Sequence, residues 1–230
     1  MQIADLPWPN SIEQAIQLQK YLAGRLTLEG SVEDAELIAG VDCSSYGSTG
    51  TMVGAVVVWN LKENRIVASS TSTVEADFPY IPGLLAFREL PALLEAFRKL
   101  DAAPDAVICD GQGTAHMRGF GIACHLGLYL GIPTVGCGKS RLVGSFEMPG
   151  LEKGSVSSLT YKSNEVGRVV RTRTGVSPVF VSPGHLIGMD GAVDLILKCC
   201  TKYRLPEPIR AAHRLAGEGM NAARIRRIQG

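Results

Sequence analysis

The chain has 230 residues, with 23 lysines and arginines, 22 aspartates and glutamates, and a formal net charge of +1. This length suits one domain, which we expect to span residues 1–230. A composition that is 46% hydrophobic and 20% charged is typical of a globular protein and excludes a disordered chain, a collagen-like fibre and a coiled coil. The near-neutral charge balance excludes a broadly basic nucleic-acid-binding protein, so any contact with nucleic acid needs a local basic groove.

The cysteines and the N-terminus indicate the cell compartment. The six cysteines form no C-x-x-C pair and lie mostly among apolar residues, which is typical of reduced, buried thiols and argues against a zinc site. The N-terminus has no basic stretch before an apolar core, as a secretory signal requires. The apolar runs are far shorter than the ~20 residues that cross a bilayer. We therefore expect a soluble, cytoplasmic protein without a membrane partner, and we expect a monomer.

The first half of the chain predicts a helix, three strands and a second helix. Ser11 is followed three residues later by Gln14, a signal for a helix N-terminus, and apolar residues recur at helical spacing as far as Leu22. Short turns separate the predicted strands, a pattern typical of an antiparallel meander. These strands span residues 37–42, 52–60 and 65–74. Residues 84–100 then predict a helix, with a kink near Pro91.

The second half of the chain alternates short apolar runs with helices. Residues 106–110 and 134–137 predict buried strands, with a helix at 120–130 between them. The later predictions are a polar hairpin or excursion in 143–164, strands at 166–172 and 179–181, and a closing helix at 191–202. This order predicts an α/β fold in which helices flank both faces of a mixed sheet, made of an antiparallel meander plus parallel strands.

Three acidic residues lie on elements that this fold can bring together. Asp42 and Asp110 each follow an apolar strand, and Glu89 lies in the predicted helix between those strands. A carboxylate at the end of a buried strand is costly unless it is paired, hydrogen-bonded or bound to a metal, although a single such Asp is more often a turn-former or a helix cap. A cluster of all three would attract a divalent cation, and carboxylate oxygens suit Mg²⁺ or Mn²⁺. Such ions activate water and stabilise the leaving oxygen of a phosphodiester.

Four segments of the sequence resemble signatures of the endonuclease V family. They are Phe78–Pro91, Val107–Gly119, Gly136–Ser140 and Tyr203–His213, which occur in the family's order. The resemblance extends from about residue 38 to residue 213 and implies a ribonuclease-H-like fold, in agreement with the order of elements. It also implies an endonuclease that requires Mg²⁺, for which Mn²⁺ would substitute, and that acts in the repair of deaminated purines. The expected cut in DNA containing deoxyinosine is at the second phosphodiester on the 3′ side of the lesion, leaving 3′-hydroxyl and 5′-phosphate ends.

The same resemblance implies roles for individual residues. Asp42 and Asp110 would bind the metal directly, and Glu89 would bind or position a second ion or its water. His213 would reach the same cluster as a further ligand from the C-terminal segment. Lys139 would hold the scissile phosphate or orient the attacking water. Taken singly, His213 and Lys139 are more often solvent-exposed residues without chemistry.

The segment Pro79–Pro82 presents Tyr80 between two prolines. The prolines stiffen the turn, so the aromatic ring could wedge into a base stack; the alternative is that Tyr80 packs on its own loop. A base that is flipped out of the stack needs a pocket of backbone groups, which can distinguish hypoxanthine by its 6-oxo group and protonated N1. The candidates for this substrate-binding pocket, besides Tyr80, are Gly83, Leu85, Gly111, Gly113, His116, Gly121, Ile122 and Leu142.

Two features of the sequence lie outside the family pattern. Met117 stands where the family commonly has proline, and Cys137-Gly138 replaces the more usual Val-Ala before the lysine; neither change removes a ligand.

Six arginines flank the predicted site, and we expect them to contact the nucleic-acid backbone, which gives position and salt-dependent affinity. They are Arg88, Arg118, Arg141, Arg171, Arg173 and Arg204.

Three alternative functions use the same residues. One is an inosine-specific endoribonuclease, since the sequence does not separate single- or double-stranded DNA with deoxyinosine from RNA with inosine. Another is a structure-specific nuclease for flaps or junctions. The third is a non-catalytic hypoxanthine-binding module, against which the acidic residues argue, because a pure binder has no need for repelling acids beside a polyanion.

Overall fold

Eight strands form one mixed sheet in the computed structural model, which describes residues 3–46 and 50–229. The strands are β1 (Leu37–Ser45), β2 (Gly50–Asn60), β3 (Arg65–Ala76), β4 (Ala106–Cys109), β5 (Thr134–Gly138), β6 (Val156–Tyr161), β7 (Asn164–Val170) and β8 (Val179–His185). The helices are α1 (Ile12–Ala23), α2 (Leu85–Arg98), α3 (Ile122–Leu130), α4 (Met189–Cys199) and α5 (Glu207–Gln229). Ser11 caps α1 as predicted, because its side chain accepts a hydrogen bond from the Gln14 N–H.

The strand order is β3-β2-β1-β4-β5-β8-β7-β6. The strands β1, β2 and β3 form the predicted antiparallel meander. The strand β4 pairs in parallel with both β1 and β5, and β8, β7 and β6 extend the sheet as antiparallel neighbours. The predicted α/β fold class, a mixed sheet with a meander and parallel strands, is therefore confirmed.

Helices cover both faces of this sheet, as the order of elements predicted. Ala39 and Val41 of β1 pack in one apolar cluster with residues of α2 and α3. Ile38 of the same strand packs on the other side with residues of α4 and with Ile209 of α5. Because both faces are covered, the central strands are apolar along their length, and β4 is buried throughout.

The parallel pairing of β1 and β4 sets the position of the two strand-end aspartates. Val41 lies opposite Cys109 in the register, and the backbone N–H of Asp110 donates to the carbonyl of Val41 at 3.4 Å. The carboxyl ends of parallel strands meet at one edge of a sheet. Asp42, which lies within β1, and Asp110, which directly follows β4, are therefore side by side.

The C-terminal helix α5 was not predicted, since the sequence indicated a last helix at 191–202, which the structure has as α4. The 23-residue α5 lies across β1 and β2. Gly40 of β1 permits this packing, because a Cβ there would lie 2.1 Å from the carbonyl carbon of Pro208. The close approach brings the first turns of α5 to β1, which contains Asp42 and continues to Ser45, three residues beyond the predicted end of the strand.

All six cysteines are free thiols, in agreement with the sequence, and five of them are buried. Within residues 3–46 and 50–229, the structure contains no helix with enough length and apolar character to traverse a bilayer.

Candidate active site

Asp42, Asp110 and His213 converge at the edge of the sheet. One carboxylate oxygen from each aspartate and one imidazole nitrogen all lie within 4.8 Å of one another. His213 reaches the cluster from the second turn of α5, and its Nδ1 lies 2.6 Å from Asp42 Oδ2. Three of the four predicted metal ligands are thus brought together from three distant parts of the chain.

The charges in this cluster are only partly balanced. Burial, followed by the negative charge of Asp110, raises the pKa of Asp42, while the hydrogen bond from His213 opposes the rise. Lys139, placed just after β5, forms an ion pair with Asp110. Of the two carboxylates, Asp110 alone pairs with an ammonium group among the described residues, so the carboxylate pair retains negative charge. The donor set of carboxylate oxygens and one imidazole at the edge of the sheet therefore fits a divalent cation.

Glu89 lies on α2 beside this cluster but is not one of the three converging residues. Burial, with the negative charges of Asp42 and Asp110, raises the pKa of Glu89 to about 8, and the neighbouring Arg88 opposes the rise. The electrostatic coupling places Glu89 close enough to sense both aspartates. The expected role of Glu89, to bind a second ion or its water, stays a prediction.

A cavity of about 220 Å³ opens next to the cluster. This volume lies below the ~300–1,000 Å³ of pockets that hold drug-sized ligands and suits a single base. Eight of the nine predicted substrate-binding residues line it: Tyr80, Gly83, Leu85, Gly111, His116, Gly121, Ile122 and Leu142. The ninth, Gly113, is not among the lining residues. Its N–H donates to Ser182 Oγ at 2.8 Å, and a Cβ there would lie 2.0 Å from the Pro183 carbonyl oxygen.

Backbone N–H groups without partners surround this cavity. The helices α2 and α3 both begin there, and neither has a side-chain cap at its N-terminus. The N–H groups of Gly83, Leu85, Gly111 and Ile122 make no hydrogen bond to any residue that the structure describes. The cavity therefore offers hydrogen-bond donors from the main chain, as a pocket that reads the edge of a base requires.

His116 is fixed in one neutral tautomer at the cavity. Its Nδ1 accepts the N–H of Arg118 at 3.2 Å, so its Nε2 donates to the carbonyl of Gly83 at 3.0 Å. Burial and the charge of Arg118 lower the pKa of His116 to about 4. Met117 does not disturb this arrangement, since its side chain packs against Gly83, where a Cβ would lie 2.8 Å from the sulfur.

Tyr80 projects from the rim of the cavity. Its side chain is 66% exposed, so it does not bury itself on its own loop. Gly83 follows on the same loop with φ of +80°, a backbone conformation that favours glycine. The loop thus presents an aromatic ring to solvent beside a cavity of base size.

Sequence reasoning missed several residues of this region. Most of the unpredicted lining residues adjoin predicted ones within the four family segments, so their neighbours were a usable signal. These lining residues are Gln19, Ile81, Pro82, Ala86, Gln112, Ser140 and Arg141. Two of them lie outside all four segments. Arg141 adjoins the predicted Leu142 and was expected to contact the nucleic-acid backbone, whereas Gln19 comes from α1 and has no predicted neighbour.

The prediction that six arginines contact a nucleic-acid backbone is wrong for Arg88 and Arg171. Both are buried, and Arg171 donates to three backbone carbonyls of its own domain. The basic surface beside the cluster instead includes Arg210 and Arg214 of α5. These residues and Lys139 line an open groove of about 500 Å³ that also contains His213.

Comparisons with known proteins point to one family. The family model described as Endonuclease V matches residues 20–214. Endonuclease V of Dehalococcoides mccartyi is 46% identical over 211 residues, which cover 92% of this chain and 95% of that protein. The crystal structure of Endonuclease V from Streptomyces avermitilis is 39% identical, with a TM-score of 0.90 and coverage of 97% of this chain and 99% of that one.

A further solved structure is that of a variant of Ciona intestinalis Endonuclease V, in complex with a 23mer DNA containing an inosine followed by a ribo-adenosine. It is 26% identical, with a TM-score of 0.78, and the match covers 92% of this chain and 98% of that one. The family model spans most of the chain, and the similarity to the Dehalococcoides protein extends over nearly the whole of both. The chain therefore belongs to the endonuclease V family and is an endonuclease.

Proposed function

We propose that this endonuclease cuts DNA containing deoxyinosine at the second phosphodiester on the 3′ side of the lesion, in the repair of deaminated purines. The products have 3′-hydroxyl and 5′-phosphate ends, and the reaction uses Mg²⁺, for which Mn²⁺ substitutes. The observation that carries the proposal is the convergence of Asp42, Asp110 and His213 next to a cavity rimmed by backbone donors. The inosine-containing DNA bound by the Ciona relative supports the choice of base.

Asp42, Asp110 and His213 would hold the metal, with Glu89 next to them for a second ion or its water. A divalent cation in such a site lowers the pKa of bound water and stabilises charge on the leaving oxygen. The hydrogen bond between His213 Nδ1 and Asp42 Oδ2 fixes the orientation of the imidazole ring. The ligand set is thus ordered by contacts within the chain.

Lys139 has a separate role in binding the phosphate. Its ammonium group pairs with Asp110 and its side chain is 43% exposed, so it is accessible to a substrate. A non-bridging oxygen of the scissile phosphate would accept a hydrogen bond from this group. Lys139 would then hold the phosphate at the acidic cluster and offset part of its charge.

The cavity accounts for the choice of hypoxanthine over adenine. The 6-oxo group of hypoxanthine accepts hydrogen bonds, whereas the 6-amino group of adenine donates them. The unpaired N–H groups at Gly83, Leu85, Gly111 and Ile122 therefore favour the oxo base. Extruding a base costs a few kcal/mol, and least when it is mispaired. Recognition of one extruded base allows both single- and double-stranded DNA as substrates.

A panel of oligonucleotides tests this proposal. Matched strands would carry deoxyinosine in single- or double-stranded DNA, inosine in RNA, or an undamaged flap, with Mg²⁺, Mn²⁺ or a chelator. We expect cutting of the deoxyinosine strands with either metal, at the second 3′ phosphodiester, and none with the chelator. Preferential cutting of the flap or of inosine in RNA would contradict the proposal that deoxyinosine in DNA is the substrate. Binding of the deoxyinosine strands without cutting would indicate a binding module.

Replacing either strand-end aspartate tests the metal ligands. Asp42→Asn and Asp110→Asn each remove a charged ligand while retaining the shape of the side chain, so we expect the cleavage rate to fall at least ~100-fold. Binding of a deoxyinosine strand should change by less than about threefold, because the base cavity is intact. Asp101→Asn, at an exposed site after α2, is the matched control and should cut normally. Cleavage near the wild-type rate by either cluster variant would refute the metal assignment.

A further inference from the structure

Gln19 is a buried amide on α1 that contacts two walls of the base cavity. Its side chain lines the cavity, and the residue is 1% exposed. Gln19 Nε2 donates to the carbonyl of Gly83 at 3.0 Å and to the carbonyl of Phe120 at 3.2 Å. Gln19 Oε1 accepts a hydrogen bond from Arg118 Nε at 2.5 Å. The amide thus uses both its donor and its acceptor in fixed contacts.

These contacts join segments that are distant in sequence. Gly83 lies 64 residues from Gln19, on the loop that carries Tyr80, and Phe120 lies 101 residues from Gln19. Phe120 directly precedes Gly121, which caps α3. The two bonded carbonyls therefore belong to the loop that carries Tyr80, on one side of the cavity, and to the start of α3, on the other. A single side chain thus bridges these two segments directly.

The carbonyl of Gly83 is the centre of this network. It accepts from Gln19 Nε2, from His116 Nε2 at 3.0 Å and from Arg118 at 2.6 Å. Three donors on one carbonyl fix the orientation of the peptide group, and buried polar networks of this kind hold a unique arrangement when every member is satisfied. Of the three, Gln19 alone belongs to an element outside the motifs that form the cavity.

We propose that Gln19 is a positioning residue for base recognition, which holds the loop of Tyr80 and Gly83 and the start of α3 at the spacing that receives the flipped hypoxanthine. The inference rests on the proposed function for the identity of the base. Gln19 lines the cavity, and its hydrogen bonds go to Gly83, Phe120 and Arg118 rather than to the acidic cluster. Loss of the Gln19 amide should therefore weaken capture of the base, which raises KM. It should leave the rate of the chemical step, and with it kcat, unchanged.

Hydrogen exchange tests the positioning role without any assumption about substrate. Gln19→Met keeps a side chain of similar length and removes the amide. We expect the backbone amides of residues 79–84 and 118–122 to exchange about tenfold faster, while those of β1 and β4 keep their wild-type rates. Unchanged exchange at both segments would overturn the positioning role, whatever the enzyme cuts.

Steady-state kinetics test the consequence for recognition. On a single strand with deoxyinosine, Gln19→Met should raise KM about tenfold and leave kcat within about twofold. Ser72→Ala is the matched control, because it removes another buried side-chain bond, from Ser72 Oγ to the carbonyl of Ala92 at 2.6 Å, away from the cavity. It should leave KM and the exchange of both segments unchanged. A fall in kcat at constant KM, or an equal rise in KM in the control, would contradict the inference.

A second variant separates the contacts of Gln19. Gln19→Glu retains an acceptor for Arg118 but places carboxylate oxygens against the carbonyls of Gly83 and Phe120, so it should raise KM as Gln19→Met does. Wild-type KM and exchange in Gln19→Glu would show that the Arg118 contact alone matters, and would overturn the inference. If the wild-type enzyme leaves deoxyinosine strands intact, the proposed function fails, and the exchange measurement still decides the positioning role.

Discussion

At the scale of single residues, Tyr80 combines a stiff loop with a ring that is 66% exposed beside the base cavity. A wedge is needed only where a base must leave a stack, so Tyr80→Ala should reduce kcat/KM for deoxyinosine in a duplex at least ~10-fold, since extrusion costs a few kcal/mol. The same variant should lose less than about threefold on a single strand. Tyr21→Ala removes a tyrosine of similar exposure, 64%, on α1 and should change neither value. Equal losses on both substrates for Tyr80→Ala would argue against the wedge.

Most residues of the candidate site could be predicted from the sequence, because they lie in or next to segments that resemble family motifs. The exceptions depend on packing. Gly113 resembles the other cavity glycines in its motif, yet the carbonyl of Pro183 on β8 occupies the space beside it. Gln19 has no motif, and its role depends on carbonyls 64 and 101 residues away. Contacts at such separations are set by the fold, which a single sequence does not specify residue by residue.

At the scale of elements, the position of α5 decides whether the proposed metal site is complete. Gly40→Ala would place a Cβ 2.1 Å from the carbonyl carbon of Pro208 and 2.6 Å from the N of Ile209. These are backbone atoms, so the helix must move, and His213 would move with it, away from Asp42. We expect a loss of about 1–3 kcal/mol in the free energy of unfolding and a cleavage rate at least ~10-fold lower.

Gly217→Ala on the same helix is the control for that prediction. A Cβ at Gly217 would have no neighbour within 4 Å, and alanine is the better helix former by up to about 1 kcal/mol. This variant should therefore unfold at a higher temperature and cut normally. Thermal unfolding and cleavage rates measured side by side would check both variants. Full activity in Gly40→Ala would show that the cluster does not depend on the close packing of α5.

The same helix shows where prediction of elements failed. The helices α1 to α4 and the strands other than β6 have clear apolar periodicity or apolar runs, and each was predicted within a few residues. The strand β6 lies in the segment that was predicted only as a polar hairpin or excursion. The helix α5 contains Gly217 and Gly219 and many arginines, which weaken its apolar pattern. Its apolar contacts are concentrated in alanines such as Ala212, which sequence patterns rank as neutral. Tertiary packing on β1 and β2, rather than a strong amphipathic signal, therefore determines its position.

At the scale of the whole molecule, the charged side chains of the candidate site are concentrated at one edge of a largely apolar sheet. The parallel pair β1 and β4 brings Asp42 and Asp110 to this edge, and helices from both faces add Glu89 and His213. This arrangement separates the proposed catalytic groups, which keep unbalanced charge, from the two apolar clusters of the core. An ionisable group that is buried among the apolar residues without a partner must then remain neutral.

His125 is such a group, and it makes the free energy of unfolding of the whole chain depend on pH. It is fully buried, and neither ring nitrogen has a hydrogen-bond partner among the described residues. Its neighbours are the aromatic rings of Trp8, Phe87, Phe120 and Tyr129. Burial lowers the pKa of His125 from its ordinary value of 6.5 to about 3.

Above pH 6.5 His125 is neutral in both the folded and the unfolded chain, and it adds no dependence on pH. Below pH 6.5 the unfolded chain binds a proton there that the folded chain does not bind until about pH 3. The free energy of unfolding therefore falls by about 1.4 kcal/mol for each pH unit. His125→Phe should retain about 2 kcal/mol more of its pH 7 stability at pH 5 than the wild type does, in denaturant unfolding. Phe87→Leu, which disturbs the same aromatic cluster without removing a titratable group, should keep the wild-type loss, and an equal loss in His125→Phe would refute the buried neutral histidine as its source.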